Sequence, residues 1–189
     1  MAHLLEHRII ADTVGWLERA VIGLNLCPFA RSPHAKARIR YVVSQAIEES
    51  DLEDQLAQEL QLLQSCDSEQ TETTLLICPD VLNDFMDFND FLSRADQLVR
   101  KTKLEGVIQI ASFHPGYRFA DASEDDVSNC TNRSPYPILH LLREQSVQRA
   151  IQAVPNPDAI YQANIETLRQ LGWKGWRALK VGPSADSSS

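Results

Sequence analysis

The sequence predicts an α/β layer protein, and three observations carry that prediction. Short apolar segments alternate with longer segments of helical spacing through the first 113 residues, in the order helix, strand, helix, strand, helix, strand. The composition, 43% hydrophobic and 23% charged, is that of an ordinary soluble globular chain. A length of 189 residues suits one domain with a sizeable core, expected over residues 1–181. The simplest arrangement is a small sheet of about three strands covered by helices, with a helical C-terminal part. The competing arrangement is α+β with antiparallel pairing.

Residues 8–25 place Ile9, Ile10, Thr13, Trp16, Leu17, Ala20, Val21 and Leu24 at helical spacing, one buried face of an amphipathic helix. The helix should end near "NLCPFARSP", where two prolines stop it. "ARIRYVVSQA", 37–46, alternates and is β-branched at its centre, as a half-buried strand does. Acid-rich "EESDLEDQLAQELQLLQS" follows with Leu52, Leu56, Leu60 and Leu63 on one face and Ser50 or Asp51 as N-cap. It reads as a surface helix.

The continuous apolar run "TTLLICP", 73–79, suits a buried strand. A helix over about 84–102 carries Phe85, Phe88, Phe91, Leu92, Ala95 and Val99, and "EGVIQIASF", 105–113, is the third strand. From Ser134 onward the chain reads as helices, through "SPYPILHLLREQSVQRAIQAV" and "NPDAIYQANIETLRQLGWKGWRAL". The tail "GPSADSSS", 182–189, lacks apolar residues and is expected to be disordered.

Net charge of −8 argues against a nucleic-acid backbone as main partner, because phosphate chains are held by clustered Lys and Arg. The apolar runs fall far short of the roughly 20 residues a bilayer crossing needs, and the acidic N-terminal stretch does not resemble a signal peptide. The expectation is therefore a cytoplasmic protein with no membrane partner. Cys27, Cys66, Cys78 and Cys130 show no C-x-x-C spacing and are expected as free thiols.

The segment most in need of explanation is "ASFHPGYRFADASEDDVSNCTNRSPYP", 111–137. Long structureless connections inside a compact domain are usually functional or disordered. Here Phe113, Tyr117, Phe119 and Tyr136 supply enough apolar area to offset ordering, which predicts an ordered loop. If the strands are parallel, their carboxyl ends face one crevice, where Ser44, Asp80, Ser112 and His114 would meet this loop.

His114 has the side chain suited to proton transfer at neutral pH; the alternative is a histidine that fixes the path of the loop. Asn132 or Ser134 as N-cap and Pro135 at the first turn suggest a helix start, whose amides together with Arg133 would hold a phosphate or carboxylate. On that helix Tyr136, His140 and Glu144 would share a face, with His140 favoured as a core residue. Cys27 is the thiol to watch as a nucleophile, because Arg31 lies close in sequence. "DASEDD" fits no EF-hand spacing and is read as solvated charge, though a metal-dependent enzyme using His114 with Asp121, Asp125 or Asp126 is the lowest-ranked alternative.

Through "GLNLCPFA", "FNDFLSRAD", "QIASFHPGYRFA" and "NCTNRSPYPILHLLRE" the sequence resembles a bacterial family of uncharacterised small proteins, the domain of unknown function 1415. The resemblance covers nearly all of the chain before the tail. It implies no reaction, ligand or cofactor. It does imply that Asn25, Cys27, Pro28, Phe29, His114, Pro115, Asn132, Arg133, Ser134, Pro135 and Tyr136 belong together.

The leading functional expectation is a small enzyme acting on an anionic metabolite. His114 would be its acid or base, with Cys27 the second catalytic candidate. Arg133, Asn132, Ser134, Arg31, Tyr136 and Asn25 would bind the substrate; no metal is assigned and no cofactor is named. The competing expectation is a non-catalytic module that binds another protein through the loop aromatics.

Overall fold

The computed structural model describes residues 2–152 and 159–184. Helix α1 (Ala2–Trp16) runs into a π-helical stretch, Leu17–Ile22, and a short α2 (Arg31–Ala35) follows. Then come β1 (Ile39–Val43), α3 (Glu49–Ser65), β2 (Thr73–Ile77), α4 (Phe85–Lys101) and β3 (Ile108–Phe113). A 3-10 turn, Val127–Thr131, precedes β4 (Ile138–Arg143), α5 (Glu144–Gln152) and α6 (Ala159–Ala178). The helix–strand alternation expected up to Phe113 is present, so the fold is mixed α/β with a helical C-terminal part. Residues 153–158, within the expected C-terminal helices, and 185–189 of the expected disordered tail lie outside the described residues.

The segment after Ser134 differs from expectation. No helix starts there: β4 lies antiparallel between β2 and β3, so the sheet has four strands in the order β1-β2-β4-β3, not about three. Two prolines account for the change, since Pro135 and Pro137 disfavour the helical region for the residue before each. The run "ILHLLR" is apolar towards both faces of the sheet, as a central strand must be, with Ile138 buried on one side and Leu139 and Leu141 on the other. Helix propensity spans at most about 0.7 kcal/mol per ordinary residue, too little to outweigh two ladders and two buried faces. The face proposed for Tyr136, His140 and Glu144 therefore does not form: Tyr136 precedes the strand, His140 sits within it and Glu144 opens α5.

β1 and β2 are parallel, and β2 and β3 are each antiparallel to β4, so the first three strands point the same way. Their carboxyl ends share one edge with the start of β4. Helices α3 and α4 cover one face of the sheet. Leu52, Leu56, Leu60 and Leu63 are all 0% exposed there, packed with Phe88, Phe91 and Leu76. The leucine stripe was legible, but α3 is a core helix on its inner face, and truncating any one of the four to alanine costs about 2–5 kcal/mol. Neither Ser50 nor Asp51 caps it, because the helix begins at Glu49, after Glu48, and takes both residues into its first turn. Asp84 does cap α4, accepting from Met86 N at 2.7 Å.

Helix α1 and its π extension cover the other face through Ile9, Trp16, Leu17, Ala20 and Val21. On this side His140 lies opposite Leu75 and Ala111. Its Nε2 is 2.7 Å from Thr73 Oγ1, whose own proton goes to Leu141 O at 2.6 Å, so the imidazole donates through Nε2–H. Burial pulls the His140 pKa down to about 4 from an ordinary 6.5.

A folded-state pKa below the unfolded one means that the native state favours the neutral ring. The stabilisation is complete above pH 6.5 and is lost as pH falls towards 4. It should amount to on the order of 3 kcal/mol. Chemical denaturation between pH 7 and 4.5 should show the wild type losing stability across this window and His140→Gln losing clearly less; equal pH slopes would place the titration in another group.

Candidate functional site

The connection from β3 to β4, residues 114–137, has no ladder to satisfy its backbone, so backbone turns such as Tyr117 N to His114 O and a set of side chains do it. Asn129, fully buried, accepts from Phe119 N at 3.0 Å and donates to Ser123 O at 2.8 Å. Arg133 donates from Nε to Tyr117 O at 3.1 Å and from Nη2 to Glu124 O at 3.0 Å. His114 N donates to Asn132 O at 3.1 Å, closing the base of the loop. Asp126 caps the 3-10 turn by accepting from Ser128 N at 2.9 Å, and that bond, helped by Arg169 of α6, holds its carboxyl below the usual carboxylate range.

His114 is 2% exposed, with its ring against Phe85 and Phe88 of α4. Nδ1 accepts from Gly116 N at 2.9 Å, so Nε2 carries the proton and donates to Leu82 O at 3.1 Å. Burial lowers its pKa, although the Leu82 and Asn83 backbone hydrogen bonds oppose this. Both ring nitrogens are therefore engaged inside the protein, tying the loop to the end of β2 and the start of α4. Beyond His114 the aromatic contacts continue from Phe85 to Tyr117, Phe119 and Tyr161, reaching α6.

The other expected site residues fall into separate groups. Asn132 donates to Ser112 O at 3.4 Å and bonds the Tyr117 side chain. Ser134 Oγ donates to Tyr136 O at 2.6 Å, and Tyr136 Oη donates to Asp12 Oδ2 of α1 at 2.8 Å. With no helix at Ser134, the expected anion site on helix amides is absent. Asn25 occupies a left-handed turn, φ 55°, after the π-helical stretch. Arg31 reaches Ile22 O at 3.5 Å. Cys27 packs against the α1-face cluster, whereas the His114 ring packs against α4 on the other face. Burial pushes the Cys27 thiol up, the opposite of the activation that Arg31 was expected to provide.

Ser44, at the end of β1, is buried and donates to Gln55 Oε1 at 2.6 Å. Among the described residues no group of three or more His, Cys, Asp or Glu side chains could hold a metal ion. No described helix is long and apolar enough to cross a membrane.

Arg133 turns instead towards α6, and there the loop and that helix form a cleft of about 450 Å³ lined by Glu124, Asp125, Arg133, Trp173 and Arg177. The Arg133 guanidinium lies over the Trp173 ring at 5.5 Å from its centroid and that of Arg177 at 5.9 Å. Trp173 Nε1 donates to Asp125 O at 2.9 Å, fixing the indole to the loop. The kink at Gly172, φ 63° and ψ 173°, sets the course of the last turns of α6, which carry Trp173 and Arg177. That backbone region is open essentially to glycine alone. Arg169 bonds Asp126 at 3.3 Å one turn earlier, so α6 is joined to the loop at two levels.

Comparison of the whole chain with known families matches residues 8–178 to the family described as protein of unknown function (DUF1415). The chain belongs to this family. No curated protein and no solved structure matches it. The DUF1415 match runs from α1 to the last residue of α6, so it takes in both walls of the cleft.

Of the cleft residues, the sequence pointed to Arg133 as an anion ligand. Asp125 entered only as a metal ligand, and Glu124, Trp173 and Arg177 were missed. The available signal was "LGWKGWR", in which two glycines interrupt a helical pattern beside a tryptophan, with an arginine one turn on.

Replacing Asn129 with alanine should cost about 2 kcal/mol or more, because it strands buried backbone donors and acceptors. Denaturation would measure that loss, and proteolysis should then cut within residues 115–128. Gly172→Ala should cost about 1–3 kcal/mol and shift the fluorescence of Trp173; an unchanged spectrum and stability would mean that the kink does not position the indole.

Proposed function

We propose that the protein binds a small anionic metabolite, bearing a phosphate or a carboxylate, in the cleft between the β3–β4 loop and α6. One observation carries the reading: two guanidiniums, Arg133 and Arg177, flank one indole in one cleft, and neither forms an ion pair with a described residue. Two planar guanidiniums over one aromatic ring can present their N–H donors to a single phosphate or carboxylate. The volume of about 450 Å³ falls within the range of metabolite pockets.

The reading favours binding over the protein-docking alternative, since Phe113, Tyr117 and Phe119 are all half-buried rather than exposed as an apolar patch. It assigns His114 the task of anchoring the loop. For a reaction in the cleft, Glu124 and Asp125, the acidic residues among those lining it, would be the candidate proton-transfer groups.

A thermal-shift screen of phosphorylated and carboxylated metabolites tests the proposal. A ligand at 100 times its dissociation constant should stabilise the fold by about 2.7 kcal/mol. Arg177→Ala is the informative variant: the side chain is exposed and holds no loop carbonyl, so the fold should survive while affinity falls by about 10- to 100-fold. Arg133→Ala should lose both affinity and loop stability. Silence across the panel, or a hit equally strong in Arg177→Ala, would overturn the assignment.

A further inference from the structure

We infer that Asp12 of α1 is the positioning residue of this cleft: its buried carboxylate joins the segments that carry the two walls and so sets the spacing of Arg133 and Arg177. The inference rests on the anion-binding reading above and adds what holds the two guanidiniums in one arrangement.

Asp12 is 8% exposed. Tyr136, just after Arg133 in the chain, donates from Oη to its Oδ2 at 2.8 Å. Ser184, beyond the end of α6, donates from N to the same oxygen at 3.0 Å and from Oγ to Oδ1. One carboxylate therefore receives the loop wall on one oxygen and the α6 wall on both. Short links complete each path. On the loop side Trp16, one turn along α1 from Asp12, donates from Nε1 to the carbonyl of Arg133 itself at 2.8 Å. On the α6 side Lys180 N donates to the carbonyl of Arg177 at 3.2 Å, and Leu179 and Val181 pack on the α1-face cluster before the chain reaches Ser184.

The apolar residues Ile9, Trp16, Leu17 and Ala20 would dock α1 without any charge. A carboxylate buried on the same helix costs desolvation that its donors must offset, and these donors come from the two segments that frame the cleft. Recognition of one anion by two guanidiniums depends on how their N–H forks are spaced and aimed. Bonds that fix both segments to one point therefore act on affinity, although Asp12 itself is not among the residues lining the cleft.

The experiment follows the intact chain, labelled with fluorotryptophan, by fluorine NMR and titrates it with inorganic phosphate; Trp173→Phe assigns the Trp173 resonance. Tyr136→Phe and Ser184→Ala each remove one hydroxyl donor and leave Asp12 bonded by the others, so both keep the fold. Leu60→Ala, in the core on the α3 face, is the control for lost stability alone. Both donor variants should move the Trp173 resonance and weaken phosphate binding by about three- to tenfold, while Leu60→Ala changes neither. A Trp173 resonance unmoved in both donor variants would overturn the positioning role, whatever phosphate does. An equal change in Leu60→Ala, or phosphate affinity unchanged in both donor variants, would overturn it too. A moved resonance in a protein that binds neither phosphate nor any phosphorylated or carboxylated metabolite would overturn the anion site and leave Asp12 as the residue that sets the cleft.

Discussion

The placement of β4 between β2 and β3 constrains everything at the carboxyl edge of the sheet. A strand that enters antiparallel beside β3 must start at the edge where β3 ends, so residues 114–137 are held over the carboxyl ends of three parallel strands. A hairpin of ordinary length would satisfy its backbone in a turn of a few residues. This connection is far longer, and its polar groups are satisfied partly by successive backbone turns and partly, one at a time, by the side chains of Asn129, Arg133, Asn132 and His114. Loop order is thus specified by local turns and by the identity of these side chains rather than by a strand ladder.

The same economy explains why the cleft has the chemistry it has. Arg133 is both a structural donor to loop carbonyls and a cation beside the indole. Trp173 is pinned to the loop by its N–H while its ring faces guanidiniums. Each group has its orientation set by a bond to the loop, and the indole face is shared with the two guanidiniums. The aromatic contacts from Phe88 through His114, Phe85, Tyr117 and Phe119 to Tyr161 tie the buried layer under α4 to α6.

What was legible in the sequence follows from how local each feature is. The stripe of Leu52, Leu56, Leu60 and Leu63, the aromatic face of α4 and the run at Thr73–Ile77 announce themselves by period, and all are present. "ILHLLR" does not, since a six-residue segment with four apolar residues suits a buried strand or a helix turn equally, and only the slot between β2 and β3 decides. That one misreading took with it the expected helix at Ser134 and the face of Tyr136 and His140. It also aimed Arg133 at helix amides rather than at α6. An ordered loop could be foreseen from its rings, but its meeting with Trp173 and Arg177 joins residues some 40 positions apart, a distance no local pattern spans.

The far end of the described chain returns to its beginning. Val181 is buried against the α1 face, and Ser184 donates through both its amide and its hydroxyl to Asp12, the carboxylate that also receives Tyr136. Helix α1 precedes the sheet in sequence, yet the partners of Asp12 lie 124 and 172 positions further on. The docking of α1 is therefore completed only by contacts of long sequence separation, and until they form the apolar stripe of Ile9, Trp16 and Val21 lacks part of its cover.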